Sequence, residues 1–196
     1  MSQLERVLAD VARELSSLGK PWALVGGLAV SARTEPRFTR DIDVAIAVAN
    51  DAEAASLVRD LTARGYRLSA SVEQDAVSRL ATARMIPTGR EPDEVVVDLL
   101  FASSGIEPEI SAQADHLEIL PGVEVPVAKA GHLLALKLLS RDDVTRPQDA
   151  LDIRALAAAT DADDRVRARA AVATIEGRGF ARGRDLSAAL SDLVGE

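Results

Sequence analysis

A chain of 196 residues with 47% hydrophobic content is long enough to bury one compact core plus a small appendage, and is read as globular. No window reaches the roughly 20 uncharged apolar residues of a membrane span, and MSQLERVLADVARELSSLG reads as a charged amphipathic helix rather than a signal peptide, so a cytoplasmic protein is expected. The absence of cysteine removes disulfides and thiolate nucleophiles, two histidines do not make a zinc site, and a net charge of -8 disfavours a protein that coats nucleic acid, leaving oxygen as the donor for any metal.

Residues 2–18 have helical periodicity, WALVG is a short strand, and a helix is expected from Gly27 to about Arg33. An alternating strand follows at 41–48. DAEAASLVRDLTARG reads as a helix opened by a capping aspartate and closed at Gly65. AVSRLATARMI and EVVVDLLFA read as strands, the second with the near-continuous apolar run of a central one. HLEILPGVEVPVA reads as a hairpin around Pro121 and Gly122, and the chain is expected to be helical from Gly131 to its end. There is no repeat and no low-complexity linker. The expected class is α+β, a mixed β-sheet flanked by helices, divided near residue 128 into a core (1–128) and a C-terminal helical region (129–196).

Three aspartates stand where a core needs apolar residues. In a strand at 41–48, Asp41, Asp43 and Ala45 share one face while Ile42, Val44, Ile46 and Val48 share the other. The Cα atoms of Asp41 and Asp43 are then about 6–7 Å apart, so both carboxylates reach one small cation, or else they mark a solvent-facing strand start. Asp98 interrupts the apolar run VVVDLL, and a carboxylate inside a central strand needs a partner or a metal. Upstream, Gly26 and Gly27 follow an apolar strand and open a helix, where free N–H groups and close backbone approach suit a phosphate. Arg37 and Arg40 lie in the loop between the two features and either contact phosphate oxygens or are simply solvated. An anion site next to a dication site is what a nucleoside triphosphate with magnesium requires, and three carboxylates can hold two ions for in-line displacement at the α-phosphate, with Asp98 also a candidate base.

In the helical region Lys137, one of few lysines in an arginine-rich chain, sits among Leu133, Leu134, Leu136, Leu138 and Leu139. It either snorkels to the surface or is held toward a cleft. Thr145 with Gln148 forms a candidate capping box that puts Asp149 and Asp152 one turn apart, where they can orient Lys137 or pair with Arg141. Arg165, Arg167, Arg169, Arg178, Arg182 and Arg184 gather near the carboxyl end, either as a basic patch or as a solvated helix face. His116 and His132 are assigned to structure.

GGLAVSARTEPRFTRDIDV, with the later lone Asp98, resembles the nucleotidyltransferase fold of the DNA polymerase β superfamily, and is most similar to its AbiEii/AbiGii-type branch, where the arginine and threonine of RFTRDID recur. HLLALKLLSRDDVTRPQDALDI is similar to that branch's helical signature. Two departures stand out: Gly27 replaces a serine common in relatives, and Arg146-Pro147-Gln148 precedes Asp149. The resemblance implies a nucleotidyltransferase-fold mixed sheet that uses a nucleoside triphosphate and Mg2+ or Mn2+. Gly26, Gly27, Arg37, Arg40, Asp149 and Asp152 would serve the nucleotide, Asp41, Asp43 and Asp98 the metal, and Lys137 the chemistry. It further implies a toxin acting on RNA such as the tRNA acceptor end, with a separately encoded antitoxin as partner and no membrane role. Two other readings keep the same motif: an antibiotic-type enzyme with a small hydroxylated acceptor, and a non-catalytic nucleotide sensor.

Overall fold

The computed structural model describes residues 2–74, 77–89 and 95–194. Helix α1 (Gln3–Ser17) starts at a capping box, Ser2 Oγ accepting from the Glu5 amide while Glu5 accepts from that of Ser2, and buries Val7, Leu8, Val11 and Leu15 at helical spacing. Strand β1 (Trp22–Val25) leads directly into α2 (Gly26–Arg33), and β2 (Asp41–Ile46) into α3 (Asp51–Ala63). The cap of α3 is Asn50, which accepts from the Glu53 amide at 3.1 Å. Asp51, expected as that cap, is already helical, and its carboxylate accepts from Arg79 and from the Leu80 amide instead.

Strands β3 (Tyr66–Gln74), β4 (Arg79–Pro87) and β5 (Val96–Leu100) follow, then α4 (Glu107–Gln113), β6 (Asp115–Leu120) and β7 (Val123–Val127). The chain closes with α5 (Ala130–Ser140), α6 (Pro147–Ala159), α7 (Ala162–Gly177) and α8 (Leu186–Val194). Two elements were not anticipated. β3 is an exposed edge strand of mostly polar residues without a buried face, and α4 is a short helix opened by Pro108. β4 begins at Arg79, later than the expected strand, whose Ala76 lies outside the described residues. The capping box at Thr145 does not form: α6 starts at Pro147 without a side-chain cap, and the Thr145 amide donates to Asp142 at 3.0 Å.

The seven strands form one mixed sheet in the order β3-β4-β5-β2-β1-β7-β6. β2 is central, antiparallel to β1 and parallel to β5, with Asp43 paired in register with Val25 on one side and Asp98 on the other. Both faces of β2 are covered beyond its first residues, since Ala45 is as fully buried as Ile42, Val44 and Ile46. The sheet, α1 and the four C-terminal helices share a single hydrophobic cluster, to which α5 contributes Leu133, Leu134, Leu138 and Leu139. Among the described residues no helix is long and apolar enough to cross a membrane.

Candidate active site

The site forms where β1 ends, because Gly26 turns the chain from strand to helix with φ +63°, a conformation that side chains other than glycine adopt at a cost. This turn carries α2 across the end of the sheet beside Asp43. A Cβ on Gly26 would stand 1.9 Å from Asp43 Oδ2, so the carboxylate lies against the bare backbone at the positive end of the helix. Gly26→Ala is therefore expected to displace Asp43 and to lower the melting temperature, which thermal melts check. Gly27 has a different reason: a Cβ there would meet Arg37 Nη2 at 2.8 Å and Thr39 Oγ1 at 2.9 Å, so the loop fills the space that a serine would need.

Asp41, Asp43 and Asp98 lie on neighbouring strands, with Asp41 exposed, Asp43 half-buried and Asp98 buried. Burial, then the charges of Asp98 and Asp41, push the Asp43 carboxyl up to about 6. Asp98 does not stand alone. Arg84, opposite it on β4, donates through Nε to Oδ1 at 2.9 Å and through Nη2 to Oδ2 at 2.7 Å. That bidentate pair makes an aspartate tolerable inside an apolar strand. Sequence alone does not single out Arg84, although a charge between Ala83 and Met85 inside the strand RLATARMI is the available signal.

A cleft of about 190 Å³ opens over these carboxylates, floored by Gly26, Asp43 and Asp98 and walled by Leu133, Leu136, Lys137, Ser140, Arg146 and Arg182. Lys137, placed either at the surface or toward a cleft from sequence, lines the cleft, where Nζ lies 2.7 Å from Asp149 Oδ1 and 2.9 Å from Asp152 Oδ2. Asp149 also accepts from Ser140 Oγ at 3.1 Å, and Asp152 from Arg37 Nη2 at 2.7 Å and Gln148 at 3.2 Å. Asp149 and Asp152 thus orient Lys137 and do not pair with Arg141, which is taken by Asp143.

Arg37 is outside the cleft lining and ties the loop before β2 to α6, while Arg40 packs over the Phe38 ring at 5.4 Å from its centroid. The C-terminal arginines do not form one patch. Arg167 pairs with Asp164, Arg178 with Glu109, and Arg184 donates to the Arg141 carbonyl, whereas Arg182 reaches the cleft and donates to the Ser103 carbonyl at 2.9 Å. His132 is buried and its burial pushes it down to about 4, a neutral residue in the packing of α5; His116 is exposed near Glu124.

The available donors are carboxylate oxygens, and burial together with the charges of Asp98 and Asp41 pushes the Asp43 carboxyl up, so these residues fit a hard divalent cation. Among the described residues no cluster of three donors converges as in a filled metal site, since both Asp98 oxygens face Arg84. Each of those oxygens keeps a second lone pair.

Comparison with known proteins accords with this geometry. The chain is similar to an antigenic nucleotidyltransferase-like protein from Paracoccidioides brasiliensis (20% identity, TM-score 0.58, covering 99% of this chain and 97% of that one). It is similar to the antibiotic-resistance factor ANT(2'')-Ia (17%, TM-score 0.55, 98% and 97%). It is also similar to the nucleotidyltransferase toxin MenT4 of Mycobacterium tuberculosis H37Rv (16%, TM-score 0.53, 90% and 66%). At these identities the likeness establishes the nucleotidyltransferase fold. Among curated proteins none matches. The family model described as nucleotidyl transferase AbiEii toxin, type IV toxin–antitoxin system, matches residues 6–194. The match spans nearly the whole chain, from α1 through the aspartate-bearing strands to α8, and the chain therefore belongs to the AbiEii nucleotidyltransferase toxin family.

Proposed function

We propose that the protein transfers a nucleoside monophosphate from a triphosphate to a hydroxyl at an RNA end, such as the acceptor end of a tRNA, with release of pyrophosphate. One observation carries this reading: a single cleft has a carboxylate floor, where Asp43 is pushed up to about 6, and a cationic wall of Lys137, Arg146 and Arg182. The floor comes from residues before 128 and the wall from residues after it. That polarity suits a triphosphate lying along the wall with its α-phosphorus over the floor. The helix start at Gly26, which lines the cleft, adds a positive backbone end for phosphate oxygens.

In the transfer the acceptor oxygen forms a bond to the α-phosphorus as the bond to the bridging oxygen of the β-phosphate breaks, and pyrophosphate leaves with that electron pair. Asp98 is the group in the cleft floor to receive the hydroxyl proton, and Arg84 holds it in one orientation. Lys137, steered by Asp149 and Asp152, offsets charge on the departing pyrophosphate. Asp41, Asp43 and Asp98 would hold magnesium or manganese, which when bound supplies charge neutralisation and orients the reacting oxygens.

RNA as target follows from the resemblance drawn in the sequence, while the type IV toxin–antitoxin family favours a separately encoded antitoxin as the counteracting partner. A net charge of -8 favours a second acceptor class, a small cationic hydroxylated compound. Incubation of the purified protein with each α-labelled triphosphate, magnesium and total bacterial RNA, beside an Asp41→Ala, Asp43→Ala control, tests the reading. Label is expected on RNA with the wild type alone. Label that reaches only added aminoglycoside would overturn the RNA acceptor, and no label on either would overturn the transferase.

A further inference from the structure

The chain contains three phenylalanines, one tyrosine and one tryptophan. Trp22, Tyr66, Phe101 and Phe180 are all buried, whereas Phe38 is 78% exposed. An isolated apolar side chain on a surface needs no explanation, but this one has three neighbours that bear on a ligand. Arg40 lies over the ring at 5.4 Å from its centroid, a cation–π contact on one face. The loop is anchored on both sides of Phe38, since Arg37 is bonded to Asp152 and Thr39 fits against Gly27. Finally, Phe38 precedes Asp41 by three residues, so their Cα atoms are at most about 11 Å apart.

We propose that Phe38, backed by Arg40, is a stacking platform for a nucleobase of the acceptor RNA strand, next to the hydroxyl that reacts at the carboxylates. The inference rests on the reading of RNA as acceptor. The incoming nucleotide has its own apolar surface, because Leu100, Leu133, Leu136 and Leu139 line the cleft beside Lys137, and Phe38 is not among the lining residues. A ring outside the cleft lining, exposed and three residues before the exposed Asp41, is free to meet the other substrate. Stacking also answers an electrostatic difficulty. A net charge of -8 disfavours holding RNA by phosphate neutralisation over a broad surface, but a base has a π-face that an aromatic ring and a guanidinium plane can engage with little help from charge.

The test uses a fluorescein-labelled single-stranded RNA 12-mer titrated by anisotropy, and each of the four triphosphates with magnesium titrated separately. Phe38→Ala is expected to weaken RNA binding about tenfold, the value of one stacked base, with triphosphate affinity as in wild type. Phe38→Trp is expected to keep RNA binding and to show tryptophan quenching on addition of the 12-mer. Thermal melts check that the fold is intact. Unchanged RNA affinity in Phe38→Ala, or no RNA binding by the wild type, overturns the platform. So does a loss of triphosphate affinity in Phe38→Ala, which would give the ring to the incoming nucleotide. If Phe38→Ala loses RNA binding while the wild type transfers no label to RNA, Phe38 is an RNA contact but not an acceptor platform, and it is the acceptor reading that has failed.

Discussion

Asp43→Asn is expected to raise the melting temperature of the metal-free protein at pH 7 while lowering nucleotide transfer about 1000-fold or more. The two effects have one cause. In the fold the Asp43 carboxyl is pushed from an ordinary 3.8 to about 6, first by burial and then by the charges of Asp98 and Asp41. A group whose value is raised on folding contributes stability that is complete below its unfolded value and is lost as pH rises through its folded value. Without metal, wild-type stability should thus decline between about pH 4 and pH 7, by about 3 kcal/mol at most from this group. The asparagine variant lacks this decline, so the difference between the two melts should grow to roughly 6–12 °C by pH 7 and close near pH 4.

Magnesium should act on the wild type as protonation does. A divalent cation neutralises the same crowded charge, so it should raise the wild-type melting temperature above pH 6 and leave Asp43→Asn nearly unmoved. Transfer by the wild type should fall as pH drops through about 6, because the proton competes with the cation for the carboxylate. Equal magnesium stabilisation of wild type and Asp43→Asn would show that this carboxylate does not face the cation.

What could be read from the sequence follows from how local each signal is. The glycine turn, the paired aspartates and the run VVVDLL each combine an apolar strand with a polar exception, and a period of two assigns faces without knowledge of neighbours. Arg84 was missed because its role depends on strand order: only when β4 lies beside β5 does it oppose Asp98. β3 was missed because an edge strand with one side in water has no buried face to create a pattern. The cap at Thr145 was misread because Asp142 gathers the Val144 and Thr145 amides in a turn of its own, which moves the helix start to Pro147. Arg37 was read as a phosphate ligand from its place in a loop, whereas its partner, Asp152, lies 115 residues away.

Lys137→Met should be the most damaging change on the opposite wall. Lys137 Nζ lies between Asp149 at 2.7 Å and Asp152 at 2.9 Å, and those carboxylates are 5% and 2% exposed. Removing the cation takes the nearest charge from two buried anions, leaving Arg37 and Gln148 for Asp152 and Ser140 and the more distant Arg146 for Asp149. The expected loss is about 3–5 kcal/mol, together with transfer reduced at least about 100-fold. Burial pushes Asp152 up, but hydrogen bonds from Lys137 and Arg37 outweigh it and hold the group below its ordinary value. Its contribution therefore runs opposite to that of Asp43: it is present above the unfolded value and lost as pH falls through the folded one. The stability gap between wild type and Lys137→Met should accordingly narrow below about pH 4. Adding Asp149→Asn to Lys137→Met separates structure from chemistry. The second change removes one of the two buried charges and keeps an oxygen that can accept from Ser140, so thermal stability should return in part. Transfer should stay lost, because the cation that lines the cleft is still missing. Recovery of both stability and transfer in the double variant would make Lys137 a purely structural counter-ion and move the work on the triphosphate to Arg146 and Arg182.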